Sequence, residues 1–245
     1  MFTDTLTVFR KEWKEMFYHR GVRGYLFNWI IMVLLVGVYM PIQIGADWFN
    51  SPVMLLLWSW PALQLISALM ADGFAGEKER HTLETLLASR LPDLSIFSGK
   101  MLAGLVYAGS IFPASLFLGA VTVNLKEGIS NGVRFYNMGS LLQILALHYL
   151  SLILIAAVGM LVSMRSSSVK SAYQKIAIVI LVLVLSPSLL MGVLSPDIKT
   201  QLMQFITAPR LGAGALAAAL AMLVIDIVLF VVCLKGFKRE QLLTA

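Results

Sequence analysis

The chain has 245 residues, of which 59% are hydrophobic and 13% are charged, and this excludes an ordinary soluble domain, in which about 25% of residues carry charge. The formal net charge of +6 comes from basic residues spread over several short polar segments, without the clustered basic face that nucleic-acid binding requires. We therefore expect an all-α integral membrane protein whose partners include the lipid bilayer and no nucleic acid.

The first 23 residues predict an amphipathic helix. Leu6, Phe9, Trp13 and Phe17 recur at helical spacing, and the basic residues occupy other positions. Such a helix lies in the plane of the lipid headgroups, with its apolar face down and its basic side chains near anionic lipid. The alternative is a basic segment whose only role is to orient the first membrane span.

Six apolar runs follow, each close to the roughly 20 residues that cross a bilayer core. They lie at about 25–44, 53–71, 101–123, 141–164, 176–194 and 214–234. Fifteen of the 19 Lys and Arg residues fall in the segments on one side of these runs, at 1–23, 72–100, 165–175 and 235–245. Because positive charge marks the cytoplasmic side, both termini and the segment between the second and third runs are expected in the cytoplasm.

A further short helix is predicted just before the sixth run. Ser195 has the features of an N-cap, and Pro196 and Asp197 suit the first turn of a helix. Apolar residues that share one face follow at Ile198, Leu202, Phe205 and Ile206. The pattern predicts an amphipathic helix in the outer interface, either closing the outer mouth of a pathway or packing on headgroups.

A polar segment at 76–100, GEKERHTLETLLASRLPDLSIFSGK, separates the second and third apolar runs. Its first part is a cluster of charges where a membrane helix would leave the lipid. Leu83, Leu86 and Leu87 then fall at i, i+3 and i+4 and share one face. The segment therefore predicts a short amphipathic helix held between two membrane helices.

The ends of that helix carry their own signals. Thr82 is a candidate N-cap, and Glu84 lies in the first turn, where a carboxylate suits the positive end of the helix dipole. Pro92 is predicted to stop the helix, and Asp93 to cap the next one.

The polar segment resembles the signature of ABC-2-type permeases, the membrane subunits of ABC exporters, in which E-x-E-x-G-T-L-E-x-L-L-x-T-P is followed by G-K. The matching residues are Glu77, Glu79, Thr82, Leu83, Glu84, Leu86, Leu87, Pro92, Gly99 and Lys100. The sequence departs from the signature at His81, where the family usually has Gly, and at 89–91, where Thr would stand next to Pro.

The resemblance implies that the short helix is a coupling helix, which docks on a separate ATP-hydrolysing subunit. The residues expected at that contact are Glu77, Glu79, Arg80, Thr82, Leu83, Glu84, Leu86 and Leu87. The charged residues at 77–80 would hold the segment at the interface, and the three leucines would fill a groove on the ATPase. The alternative is an ordinary amphipathic loop on the membrane surface.

The resemblance also implies the other partners. Two ATPase subunits and a second permease copy or a sister permease would complete an exporter in the plasma (inner) membrane. ATP and Mg are expected on the ATPase subunits, because Gly99 and Lys100 lack the earlier glycine of a phosphate-binding loop. No catalytic residue, cofactor or metal site is expected on this chain.

Two ionisable residues lie inside predicted spans, His148 and Asp226. A carboxylate at mid-membrane depth is costly and normally has a partner, so Asp226 is a candidate for a pathway or inter-helix polar contact. His148 is a second candidate of the same kind. If the two carried chemistry, the chain would instead be a membrane enzyme, and a third alternative is an ATP-independent channel or assembly scaffold.

Prolines add a prediction about helix shape. Pro41, Pro61, Pro113 and Pro187 fall in or near the ends of predicted spans. There they can kink a helix and free a backbone carbonyl.

Overall fold

The computed structural model describes residues 2–19, 22–50, 52–128, 132–207 and 213–237. Within these ranges the chain forms helices joined by turns and short loops, and it contains no strand. The prediction of an all-α chain is therefore confirmed for this part of the protein.

The α-helices follow one another with short connections. They are α1 (Phe2–Lys14), α2 (Val22–Leu34), α3 (Met40–Ile44), α4 (Pro52–Leu57), α5 (Trp60–Glu79), α6 (Leu83–Leu87), α7 (Asp93–Gly109), α8 (Ile111–Glu127), α9 (Met138–Met164), α10 (Val169–Val193), α11 (Pro196–Thr207) and α12 (Ala213–Gly236). Three short helices of other types continue these α-helices: the π-helices Glu15–His19 and Leu35–Tyr39 and the 3-10 helix Gly45–Phe49.

Five helical stretches of the described chain are long and apolar enough to cross a membrane. They are Gly24–Phe49, Leu55–Glu79, Asp93–Glu127, Met138–Met164 and Gly214–Gly236. These stretches cover five of the six predicted spans. The remaining prediction, 176–194, falls on α10, whose side chains from 183 to 193 lie outside the described residues.

Helices α5 and α9 form the centre of the bundle, and α7, α10 and α12 pack against one or both of them. The two central helices approach closely because α9 has a glycine at the contact: a Cβ on Gly159 would lie 2.6 Å from the Cβ of Met70. Nearby, the Ser163 hydroxyl accepts hydrogen bonds from the backbone N–H groups of Phe74 and Ala75, each at 3.0 Å, and donates to the Ala71 carbonyl at 2.8 Å.

The long stretch that contains α7 and α8 is broken at Ser110. Pro113 has no N–H to donate to the carbonyl of Gly109 one turn earlier. The Tyr149 hydroxyl, on α9, donates to that carbonyl at 3.2 Å, and Trp29 Nε1, on α2, donates to the Ser110 hydroxyl at 2.9 Å. Hydrogen bonds from α9 and α2 therefore hold the chain at the break.

The first of the five apolar stretches, Gly24–Phe49, has a similar proline and a similar hydrogen bond between helices. Pro41 has no N–H for the carbonyl of Gly37, which lies in the π-helix before it. The Thr122 hydroxyl of α8 donates to the Gly37 carbonyl at 3.1 Å. Carbonyls freed by proline thus accept hydrogen bonds between helices, which satisfies them without water.

Candidate functional site

The charged start of the polar segment belongs to the last turn of α5, which ends at Glu79. The Thr82 N–H donates to the Glu77 carbonyl at 3.0 Å, and the His81 N–H donates to the Lys78 carbonyl at 3.1 Å. These two bonds form a Schellman motif, in which the residue after the helix adopts a left-handed conformation and is usually glycine. His81 occupies that position with a φ of 56°. It is also the residue at which the ABC-2 signature has Gly.

The predicted short helix is present as α6, and Thr82 stands at its N-cap position. The predicted cap itself is wrong: no capping hydrogen bond comes from the Thr82 side chain. Its hydroxyl donates instead to the carboxylate of Glu77 at the end of α5. Glu84 lies in the first turn, as expected, and is exposed.

The boundary between α6 and α7 also differs from the prediction. Helix α6 ends at Leu87, several residues before Pro92. Pro92, in an extended conformation, is itself the N-cap residue of α7, and Asp93 is the first residue of that helix. The acid therefore lies in the first turn of α7, near the positive end of the helix dipole, and the proline takes the capping position.

The three leucines of α6 are buried within the chain. Leu83, Leu86 and Leu87 are 4%, 7% and 5% exposed and belong to the main apolar core, which also contains Phe74 and Phe97. In this conformation they fasten α6 to the bundle, so they do not form a surface that could fill a groove on a partner. The periodicity correctly placed them on one face but could not say what covers that face.

The opposite face of α6 is open to solvent. Glu84, Thr85 and Ala88 are exposed. A cleft of about 590 Å³ lies beside this face, between α6 and α1. It is lined by Lys11, Glu15, Glu77, Arg80, Thr82, Thr85, Leu86, Ser89 and Leu91.

At the base of the cleft, five charged side chains form what we call the charge cluster: Lys11, Glu12, Glu15, Glu77 and Lys100. The Lys100 ammonium lies 2.6 Å from Glu12 Oε1 and 3.0 Å from Glu77 Oε1. The Lys11 ammonium lies 3.1 Å from both Glu77 Oε1 and Glu15 Oε1. The side chains of Glu77 and Lys100 are each only 3% exposed. The cluster therefore joins α1, α5 and α7 through buried ion pairs.

Glu12, Glu15 and Glu77 place carboxylate oxygens within 4.8 Å of one another, a spacing that a metal ion could use. The ammonium groups of Lys11 and Lys100 already supply positive charge at this point. Burial alone would lower the pKa of Lys11, but the three nearby carboxylates raise it above its ordinary value. Lys11 therefore stays charged, and the cluster is an ion-pair network that fastens helices together.

The Gly99 and Lys100 pair of the signature has a role that the sequence did not reveal. A Cβ on Gly99 would lie 2.6 Å from the Cβ of Val8 and 3.0 Å from the carbonyl of Thr5, so only glycine lets α1 lie this close to α7. The next residue, Lys100, pairs with Glu12 of α1. The signal that could have indicated this contact is the run of acids and apolar residues along α1.

The end of α5 also holds the turn between α9 and α10. The Lys78 ammonium donates to the carbonyl of Met164, the last residue of α9, at 3.0 Å. Glu79 Oε1 accepts from the N–H of Val169, the first residue of α10, at 2.9 Å. A cation at a helix C-terminus and an anion at an N-terminus both complement the helix dipole. Glu79, which was expected to contact a partner, thus has a partner inside the chain.

Arg80 is likewise engaged within the chain, since its Nη1 lies 3.1 Å from Asp72 Oδ1 of the same helix. Arg80 still lines the cleft and is exposed. Of the charged residues expected at the ATPase contact, Glu79, Arg80 and Glu84 are exposed, and Glu77 is buried.

The two ionisable residues inside the apolar helices are buried but not bonded. His148 is fully buried, and its ring lies 4.5 Å from that of Phe112, centroid to centroid. Asp226 is 5% exposed, on the face of α12 that also carries the buried Cys233. Among the described residues, neither His148 nitrogen and neither Asp226 oxygen has a hydrogen-bond partner. The two residues therefore form no hydrogen bond with each other, and Asp226 forms none with a neighbouring helix in the described part of this chain; a role of Asp226 in a pathway or in contact with a second copy stays a prediction.

The chain was compared with known protein families, curated proteins and solved structures. No family model, no curated protein and no solved structure matches the chain. Any proposal of family or function consequently has to be argued from the residues and their geometry.

Proposed function

We propose that this chain is the membrane-spanning subunit of an ATP-driven exporter of the ABC-2 type, coupled through the polar segment to separate ATPase subunits. One observation carries the proposal: three residues that match the signature, Glu77, Thr82 and Lys100, contact one another. Glu77 accepts from Thr82 and from Lys100, which is 23 positions away in sequence, and His81 adopts between them the conformation that suits glycine. The signature thus corresponds to a defined structural element with an open face.

The geometry supports a revised docking surface. Because the leucines of α6 are buried, the ATPase would contact the exposed Glu84, Thr85 and Ala88 and the cleft beside them. In an exporter of this kind, two ATPase subunits would serve this chain and a second permease copy or a sister permease. The arrangement would place α6 and both termini in the cytoplasm, with the chain in the plasma (inner) membrane.

The contacts of α6 provide a route for movement. A push on α6 would reach α5 through the three-residue connection at 80–82 and the packed leucines. It would reach α1 and α7 through the charge cluster, and α9 and α10 through Lys78 and Glu79. ATP-driven closure of the ATPase pair would in this way tilt several helices of the bundle together.

The experiment that tests the proposal is a pull-down of the tagged protein from its native membrane in mild detergent, with mass spectrometry of the proteins retained. We expect an ABC ATPase to be retained by the native protein and lost from the variant Glu84→Lys/Thr85→Arg. The matched control is Asp197→Lys/Thr200→Arg, which makes the same charge change on the exposed start of α11, and it should retain the ATPase.

All three proteins are first compared by thermal unfolding, so that loss of the partner is not confused with loss of the fold. A folded native protein that retains no ATPase would overturn the proposal and favour an ATP-independent channel or assembly scaffold. Retention of the ATPase by both variants would place the docking surface elsewhere.

A further inference from the structure

Helix α1 has three different faces. One is buried in the bundle, where Val8 is 1% exposed, and Met16 in the π-helix that continues α1 is 6% exposed. A second carries Lys11 into the charge cluster. The third is exposed and carries Arg10 and Lys14, which are four residues apart and therefore share one side of the helix. The basic residues of α1 are thus divided between an inward and an outward role.

An aromatic row borders the exposed face. The rings of Phe9 and Trp13 lie 5.6 Å apart, those of Trp13 and Phe17 lie 5.0 Å apart, and Phe17 is 6.2 Å from Tyr107 of α7. Arg10 precedes Trp13 by three residues, so the cations and the rings lie side by side. Trp side chains, such as that of Trp13, have an apolar body and a polar edge and are enriched where hydrocarbon meets headgroups.

The two outward cations are free of partners in the part of the chain that the structure describes. Neither Arg10 nor Lys14 takes part in a salt bridge or a side-chain hydrogen bond there, whereas Lys11 between them pairs with Glu77 and Glu15. A shallow cavity of about 480 Å³ lies at this face, lined by Thr7, Arg10, Lys11, Lys14 and Glu15. Two unpaired cations beside an apolar row complement an anionic group that is attached to hydrocarbon.

We propose that Arg10 and Lys14 bind the headgroup of an anionic phospholipid, with the phosphate in this cavity and the acyl chains along the row of Phe9, Trp13 and Phe17. A phospholipid is favoured over an acidic protein surface because the charged and apolar parts of the site are contiguous, as they are in a lipid. This cavity adjoins the cleft proposed for the ATPase and shares Lys11 and Glu15 with it, but the lipid proposal does not depend on the ATPase proposal.

Such a site would hold α1 at the membrane surface. Because α1 contributes Lys11 to the charge cluster and one wall of the cleft, the bound lipid would also fix the position of the cleft relative to the bilayer. Anionic lipid is thereby predicted to be a structural partner of the polar segment.

The test is a titration of the full-length purified protein in detergent with dioleoylphosphatidylglycerol or dioleoylphosphatidylcholine, monitored by native mass spectrometry. We expect the anionic lipid to bind more tightly than the zwitterionic one. The variant Arg10→Gln/Lys14→Gln should weaken the anionic lipid roughly 25-fold, since each basic residue near an anionic surface contributes a factor of about five. The control Arg90→Gln/Lys170→Gln removes the same charge from two other exposed sites and should change binding little.

Three outcomes would overturn the proposal: equal binding of the two lipids by the native protein, equal weakening by the double variant and the control, or displacement of the lipid by millimolar inorganic phosphate. The last result would indicate a site for free phosphate. If the double variant fails to fold, Lys14→Gln alone takes its place, with an expected weakening of about fivefold.

Discussion

Two buried carboxylates of this protein have opposite surroundings. Glu77, at the end of α5, accepts hydrogen bonds from Lys11, Thr82 and Lys100, and its side chain is 3% exposed. Asp226, in the middle of α12, is buried to a similar degree and accepts from no described residue. The comparison shows that burial of an acid does not reveal its role, whereas its partners do.

The difference has a direct energetic meaning. A buried charge that is paired and hydrogen-bonded contributes to the fold, and removing one member leaves the other uncompensated. A buried polar group without partners lowers stability, because it loses its hydration and gains nothing in return. Glu77 is therefore expected to stabilise the folded protein and Asp226 to destabilise it.

The largest expected effect is at Glu77. Glu77→Gln keeps the size of the side chain but leaves Lys100 with Glu12 as its remaining counter-charge. We expect the free energy of unfolding to fall by about 2–3 kcal/mol, somewhat below the loss on breaking a fully isolated buried pair. Equilibrium unfolding in mixed micelles measures it, with the exposed Glu84→Gln as a control that should change stability by less than about 0.5 kcal/mol. Equal effects of the two variants would show that the charge cluster is not formed.

The opposite sign is expected at Asp226. Asp226→Leu replaces an unpartnered carboxylate by an apolar side chain of similar size and should raise the free energy of unfolding by about 2 kcal/mol. Ser163→Ala is the matched control, because Ser163 is also buried in a membrane helix but makes three hydrogen bonds, so its loss should destabilise. If Asp226→Leu is destabilising, the carboxylate has a partner in the assembled protein, such as the same helix of a second copy.

Much of the fold could be predicted from the sequence, because apolar length and charge asymmetry act locally. Five of the predicted spans fall on long apolar helices, and the short helix with Leu83, Leu86 and Leu87 on one face is present. The wrong predictions concern the contacts that individual side chains make. The Thr82 hydroxyl donates to the Glu77 carboxylate and accepts from no backbone N–H of α6, because the charge-assisted hydrogen bond orients the side chain toward α5.

The candidate site was only partly predictable for the same reason. Lys100 and Glu12 are 88 positions apart, and the 2.6 Å contact between them depends on how α1 packs on α7. No local pattern carries that information. The signature does contain Gly99, whose missing side chain permits the packing, but its purpose is visible only when Val8 is found against it.

A smaller effect tests whether polar groups inside the membrane helices stabilise when they do have a partner. Tyr149→Phe removes the hydroxyl that donates to the Gly109 carbonyl freed by Pro113. We expect a loss of about 1 kcal/mol in the free energy of unfolding. In a Pro113→Ala background the alanine N–H can satisfy the carbonyl, so the same change should cost clearly less. An unchanged cost in that background would mean that the tyrosine acts through packing alone.

The smallest effect is expected at the turn between α5 and α6. His81 has a φ of 56°, a conformation that costs a residue with a side chain roughly 1–2 kcal/mol. His81→Gly removes this strain but also gives the unfolded chain more freedom, so the net gain in the free energy of unfolding should be about 0.5–1 kcal/mol. Ala88→Gly, at a nearby exposed residue with a φ of −72°, should instead destabilise, since that conformation needs no glycine. If both substitutions destabilise, His81 makes a contact that outweighs its strain.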